Sequence, residues 1–600
     1  MSGRASRVAA WTTWSAAAWP LAYGAFAAAT PLRRLYDRAW YEVPGVAAAW
    51  LTGPAPPRMQ ALSLLCAGAA TVACAAPPIG ALFGAFRNPA RGQLRRASGS
   101  ATPVPVRANS ALHGDADWLG ERDMRRLAGQ GHPVHGGVVF GAAIRPDLHP
   151  DDDGGTAPLL VSPADGDAVG GLVFGGMGAG KTSGVYVPSL VAREGWKGNI
   201  LANDPAGQIA ALCTPALEAE GRRVVRIGFG GAGFDVCAGL NPSLPSFEED
   251  VYALVEVMGR PMKDEARSDA NGVFKEQARN LVAAIAADLL SGAPCPVPSL
   301  PDAPRTMRGI IERLTLSDRE LRGLLERINT SSASPLARKL TAALWDAHPR
   351  GFGSFFQDAT ADLRWLMFDR MAALVSGEAP GSLTPEDFVR GDVCAFLNLA
   401  PGIMQKYPQV ARCIFTAVLG RVMRDERRLP RPLLLPLDER ILLGNLPALD
   451  TAWTQSRKWG VVIVEAWHSL ALMRETVGKA TADAMQAGCA FEAYSAMDHG
   501  TAKEVSEWLG KYTALAPSES TGTSTGGTGG KNGSNTNTST SLQARSLATP
   551  DELLALPSGW QVVRVRGASR PLLCRQARYY LCPEMAAVVP EDAYAAAKAA

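Results

Sequence analysis

An α/β fold built on a parallel sheet, interrupted by an all-α insertion and preceded by two transmembrane helices, is what this sequence predicts. Three observations predict it. The apolar run Leu172-Val173-Phe174 leads into Gly175-Gly176-Met177-Gly178-Ala179-Gly180-Lys181-Thr182, which fits the pattern G-x-x-x-x-G-K-[ST]. Strand-like runs stop before Ser246 and return at Val393, with helical periodicity between them. No charged residue occurs from Val8 to Leu32 or from Met59 to Phe86.

Each uncharged run exceeds the roughly 20 apolar residues that cross a bilayer. The expected spans are about 8–30 and 62–86, within a membrane anchor at 1–96. Trp11, Trp14 and Trp19 suit an interface. A signal peptide and alanine-rich soluble helices are the alternatives for these runs. Arg4, Arg7, Arg87, Arg91, Arg95 and Arg96 favour cytoplasmic termini. The expected orientation leaves the main body in the cytoplasm. A net charge of +3 is too small for a nucleic-acid coat, so any DNA contact must be local. The ten cysteines form no C-x-x-C pair and indicate neither a zinc site nor a disulfide framework.

Residues 97–165 read as a linker with lead-in strands, one of them at Gly136–Gly141. The glycine loop follows. Its backbone N–H groups and the helix start at Ser183 favour bound phosphate. Pro188 predicts a kink or an early stop in that helix. Gly175, Gly176, Met177, Gly178, Ala179, Gly180, Lys181, Thr182 and Ser183 are the candidate nucleotide-binding residues. Lys181 would reach the β- and γ-phosphates of ATP, and the Thr182 hydroxyl would ligate Mg²⁺. Asn199–Asn203 and Arg223–Ile227 read as the next strands.

Residues 246–380 form the all-α insertion, with a capping box at Ser317-Asp318-Arg319-Glu320. Strands resume at Val393–Leu399, Leu433–Leu437 and Val461–Glu465. The middle one ends in Asp438-Glu439, where open parallel sheets bind ligands. Asp438 would hold Mg²⁺ through water, and Glu439 would polarise the attacking water. The nucleotide-binding motor domain thus comprises 166–245 and 381–589. Residues 518–541 are almost wholly Ser, Thr, Gly and Asn and read as a flexible loop. Pro550–Leu554 reads as a short helix, Gln561–Arg566 and the stretch around Tyr579-Tyr580 as strands, and 590–600 as a tail.

The order of these features resembles the TraG-like coupling proteins of type IV secretion and conjugation. The residues are the glycine loop, Asn241-Pro242, Leu437-Asp438-Glu439 with Gly444 to Leu449, Arg457, Gly460, Ser495 to Asp498, Thr501-Ala502, Ser506 to Gly510 and Leu547 to Leu553. The resemblance implies a RecA-like P-loop ATPase in the inner membrane, forming a homo-hexamer. It implies transfer of single-stranded DNA with its relaxase, or of protein effectors, to channel ATPases and inner-membrane components. It also implies that Arg457 is a finger reaching a neighbour's nucleotide; a solvated helix arginine is the other reading. His468 stands where the family has a glutamine. It either donates to a γ-phosphate or is a polar residue at a strand–helix turn.

Two further departures are Asp204-Pro205-Ala206-Gly207-Gln208, lacking the family's lysine and glutamate, and Arg440 in place of phenylalanine. Two competing functions stay open, and the departures around Asp204 and His468 suit the first. One is a substrate receptor with weak or lost ATPase activity. The other is a double-stranded DNA pump of the chromosome-partition type, although no winged-helix reader is evident near the C-terminus.

Overall fold

The computed structural model describes residues 106–590, except 130, 165–169, 260–269, 346–348, 426 and 525–532. The two uncharged N-terminal runs and the last ten residues of the tail lie outside them. No helix among the described residues is long and apolar enough to cross a membrane.

Among the described residues, fourteen strands form two sheets. In chain order they are β1 (Val106–Arg107), β2 (Gly137–Ala142), β3 (Leu159–Pro163), β4 (Gly170–Phe174), β5 (Asn199–Asn203), β6 (Arg223–Ile227) and β7 (Val393–Leu397). Then come β8 (Leu433–Leu437), β9 (Val461–Trp467), β10 (Phe491–Tyr494), β11 (Lys511–Ser524), β12 (Gly533–Ser546), β13 (Trp560–Val565) and β14 (Leu572–Arg575).

The large sheet has eleven strands in the order β3-β2-β14-β13-β10-β4-β9-β8-β5-β7-β6. From β10 to β6 every pairing is parallel. From β10 out to β3 every pairing is antiparallel. The sheet is therefore mixed, where the sequence predicts a parallel one. The lead-in strands β2 and β3 and the C-terminal strands β13 and β14 extend one side of it. Such antiparallel edges on parallel sheets are common.

Strands covered on both faces read as continuous apolar runs. In β4, Leu172 and Phe174 join one core, while Val173 joins the other. The second core is closed by the helix Gln208–Ala219 through Ile209, Leu212 and Leu217. The first core runs on without a break into the helical insertion, through Leu281, Ile285, Ile310 and Leu324. The insertion is thus anchored on a sheet face and does not merely hang from the edge.

Seven α-helices, from Phe247–Met258 to Asp369–Val375, make up the described insertion. Ser317 and Glu320 form the capping box at the start of Asp318–Ser331. Entry and exit are joined where Phe234 N–H donates to Leu374 O (2.7 Å) and Asp235 N–H to Leu383 O (2.9 Å). Inside, Arg313 Nη1 and Asp288 Oδ2 pair at 2.8 Å, with the two side chains 3% and 0% exposed.

Two segments differ from the sequence reading. The Ser/Thr/Gly/Asn stretch lies mostly in β11 and β12, which pair antiparallel from Lys511↔Ser546 to Ser524↔Gly533. Cross-strand backbone bonds need no apolar side chains, and the ladder starts beside buried Tyr512 and Ala514. Tyr579–Leu581 is a 3-10 turn and not a strand. The ladder with β13 stops at Arg575, and Pro583 cannot donate to one.

Candidate functional site

The glycine loop sits at the C-terminal end of β4, the middle strand of the eleven-stranded sheet. Gly178 and Gly180 adopt φ of 71° and 84°, the left-handed region that glycine enters without strain. Gly175 is needed for a different reason. A Cβ there would lie 2.7 Å from both Ala179 Cβ and Ser495 O. Gly175 N–H donates to Trp467 O (3.0 Å) and Gly176 N–H to Ala496 O (3.2 Å), which ties the loop to the ends of β9 and β10.

The segment after the loop opens as a π-turn, Thr182–Tyr186, and continues as the α-helix Val187–Val191. Pro188 has no N–H to return to Gly184, and the turn widens ahead of it. The helix nevertheless runs past Pro188 to Val191, so the proline marks a widened turn and not an early stop.

Lys181 Nζ donates to Gly175 O (2.7 Å) and Gly176 O (3.2 Å), folded back on its own loop. Burial lowers its pKa, while the charges of Asp438 and Glu439 oppose that shift. Thr182 Oγ1 donates to Asp438 Oδ2 at 3.1 Å. Ser183 Oγ donates to Gly180 O at 3.4 Å. Met177 is 92% exposed at the loop's tip and touches none of these groups.

Asp438 follows β8, pinned by Asn203 Nδ2 donating to its carbonyl (2.8 Å). Burial and then the nearby Asp204 push its carboxyl up to about 6. Asp204 is also raised to about 6 by burial, although N–H groups of the following helix pull it back. Its Oδ2 accepts from Ala210 N–H (2.8 Å), while its Oδ1 is buried without a partner. A hydroxyl, a crowded carboxylate and a buried second acid form a donor set that a hard cation would relieve. Glu439 is exposed, with φ 53° and ψ 53°.

Arg440 and Glu465 are both 0% exposed, behind Glu439. Arg440 Nε lies 3.2 Å from Glu465 Oε1, and Nη1 donates to Gly444 O (2.6 Å). Glu465 also accepts from the indoles of Trp453 (2.9 Å) and Trp467 (3.0 Å). The arginine that replaces the family's phenylalanine thus has its counter-ion on the next strand.

His468 is half-buried, one residue past Trp467, whose partner across the ladder is Phe174. It is therefore level with Gly175. Arg457 lies elsewhere, exposed on the 3-10 turn Ser456–Trp459 that precedes β9. The seven residues of β9 rise about 23 Å, so Arg457 and its own loop are at opposite ends of the strand.

Sequence reasoning missed Gln576. Its Nε2 donates to Ala179 O (2.7 Å) and Ser495 Oγ (3.2 Å), fastening the loop from β14. No local pattern marks it.

The glycine loop after β4, the following helix start and the carboxylates after β8, two strands across the sheet, define a phosphate-loop protein of α/β fold. The model of the family "Type IV secretory system Conjugative DNA transfer" matches residues 123–600, and the chain belongs to that family. It is 27% identical to the conjugal transfer protein TraG of Agrobacterium fabrum over 516 residues, covering 82% of this chain and 74% of the relative. It is 27% identical over 513 residues to the type IV secretion system-coupling protein VirD4 of Bartonella quintana, covering 82% and 76%. Among solved structures it is similar to the plasmid coupling protein TrwB in complex with the ATP analogue ADPNP. There the TM-score is 0.55 at 16% identity, covering 80% of this chain and 96% of that one.

Proposed function

We propose that this chain is the inner-membrane coupling ATPase of a type IV secretion or conjugation system. It moves single-stranded DNA with its relaxase, or protein effectors, to the channel ATPases and inner-membrane components. The observation that carries this reading is the convergence of Lys181, Thr182, Asp438 and Glu439 at one sheet end, in a chain of the conjugative DNA transfer family.

Thr182 and Asp438 would hold Mg²⁺, with Asp438 acting through water. When bound, the ion neutralises charge on the β- and γ-phosphoryl oxygens. Lys181 leaves its two loop carbonyls for the phosphates. Glu439, exposed beside it, orients the attacking water. His468, level with Gly175, donates a ring N–H to the γ-phosphate. The helical insertion selects cargo, because it contributes no phosphate-binding residue.

Arg457 completes a neighbour's site in a homo-hexamer, since it cannot reach its own. Wild-type hexamers should hydrolyse ATP faster with single-stranded DNA. Lys181→Ala and Arg457→Ala should each be inactive alone and recover turnover when mixed, because one interface then pairs an intact loop with an intact finger. Nucleotide binding without turnover in the wild type would favour a receptor that has lost its ATPase. Normal turnover by Arg457→Ala alone would make that arginine structural.

The uncharged runs at 8–32 and 59–86 would span the inner membrane, leaving the loop between them outside. A cysteine placed near Glu42 should react with an impermeant periplasmic reagent, and one near Gly114 should not. Labelling at Gly114 would reverse the topology.

A further inference from the structure

We infer that Arg578, from the C-terminal strand pair, contacts the phosphate chain of the nucleotide held by the same chain's glycine loop. The inference rests on the nucleotide-binding reading of that loop.

Four observations place this guanidinium at the site. β14 ends at Arg575, and Gln576 N–H then donates to Gly559 O (2.8 Å), which turns the chain toward the loop. Gln576, 5% exposed, grips Ala179 O with its amide nitrogen. Its amide oxygen accepts from Arg578 Nε at 3.1 Å, so the same side chain holds loop and arginine. A Cβ built on Gly180 would lie 3.5 Å from both Nε and Nη2 of Arg578, next to the loop lysine.

The chemistry follows from what Arg578 lacks. Its hydrogen-bond partners are neutral: the Gln576 oxygen and the Ser558 hydroxyl, the latter 2.9 Å from Nη2. No carboxylate pairs with it among the described residues. It is half-buried, so part of the fork stays accessible. Most other half-buried arginines among the described residues have acids, as Arg421 does in Glu386 and Arg474 in Glu504. A preorganised fork without an anion, beside a loop built for phosphate, fits a phosphate oxygen bidentately.

The antiparallel extension then has a purpose. It delivers a second cation to the nucleotide in cis, beside Lys181. It also couples nucleotide occupancy to β13 and β14.

The test is equilibrium binding of fluorescent mant-ATP and mant-ADP to the full chain, with unfolding midpoints measured without nucleotide. Arg578→Gln keeps a donor for Ser558 and loses the charge. It should bind both nucleotides about tenfold to a hundredfold more weakly, as expected for a lost charge-assisted hydrogen bond. Its affinity should also depend less on salt, with the unliganded midpoint unchanged. Arg578→Lys should recover part of the affinity. Wild-type binding by Arg578→Gln would overturn the inference while leaving the loop's function standing. A lysine variant no better than glutamine would assign the loss to loop architecture and would also overturn it. Failure of the wild type to bind either nucleotide would remove the nucleotide reading itself.

Discussion

Lys181→Ala should lower ATP turnover by about 10²–10³-fold, the effect of deleting one preorganised charge at a developing oxyanion. The fold should survive. The side chain is half-buried, and its two bonds go to carbonyls of its own flexible-glycine loop. The loop's shape depends instead on Gly175, Gly178 and Gly180, on the backbone bonds to Trp467 and Ala496, and on Gln576. Turnover should therefore fall while circular dichroism and the unfolding midpoint stay near wild type. Loss of both together would mean that Lys181 holds the loop and does not act on phosphate. Unchanged turnover would remove Lys181 from the site.

The parts of the site visible in the sequence were those set by local pattern. The loop announces itself because strand, glycines, lysine and threonine are contiguous, and Asp438-Glu439 because an apolar strand ends in two acids. The insertion was visible through helical periodicity. What stayed hidden was pairing. β13 read as a strand and β14 did not, and nothing in either says that β13 lies antiparallel beside β10 with β14 beyond it. Gln576 touches Ala179 across 397 positions, so no spacing rule could connect them. Arg440 was legible as a departure and Glu465 as the end of a strand, yet their pairing needs β8 and β9 side by side. The hairpin at 511–546 was obscured for another reason. Composition reports what cannot form a core, and a ladder held by backbone bonds requires none.

Arg440→Phe should destabilise the protein by about 3–5 kcal/mol, although phenylalanine is what the family often carries there. The reason is the partner left behind. Glu465 is fully buried, and its remaining bonds come from two neutral indoles, Trp453 and Trp467. Without the guanidinium, a carboxylate would remain in an apolar interior uncompensated. The anchor to Gly444 O would also go, and with it the brace on the turn Arg440–Leu443. That turn follows Glu439, whose left-handed backbone is strained for a non-glycine residue and persists only while its surroundings hold it. Turnover should therefore fall as well, even with nucleotide binding intact. Adding Glu465→Gln removes the buried charge and should restore part of the stability. Relief is incomplete, because the amide offers one oxygen where two indoles donated. The measurement is the shift in unfolding midpoint of Arg440→Phe, Glu465→Gln and the double variant, with turnover on each. A double variant no more stable than Arg440→Phe would show that the two residues are not coupled. An Arg440→Phe protein as stable as wild type would show that Glu465 needs no cation.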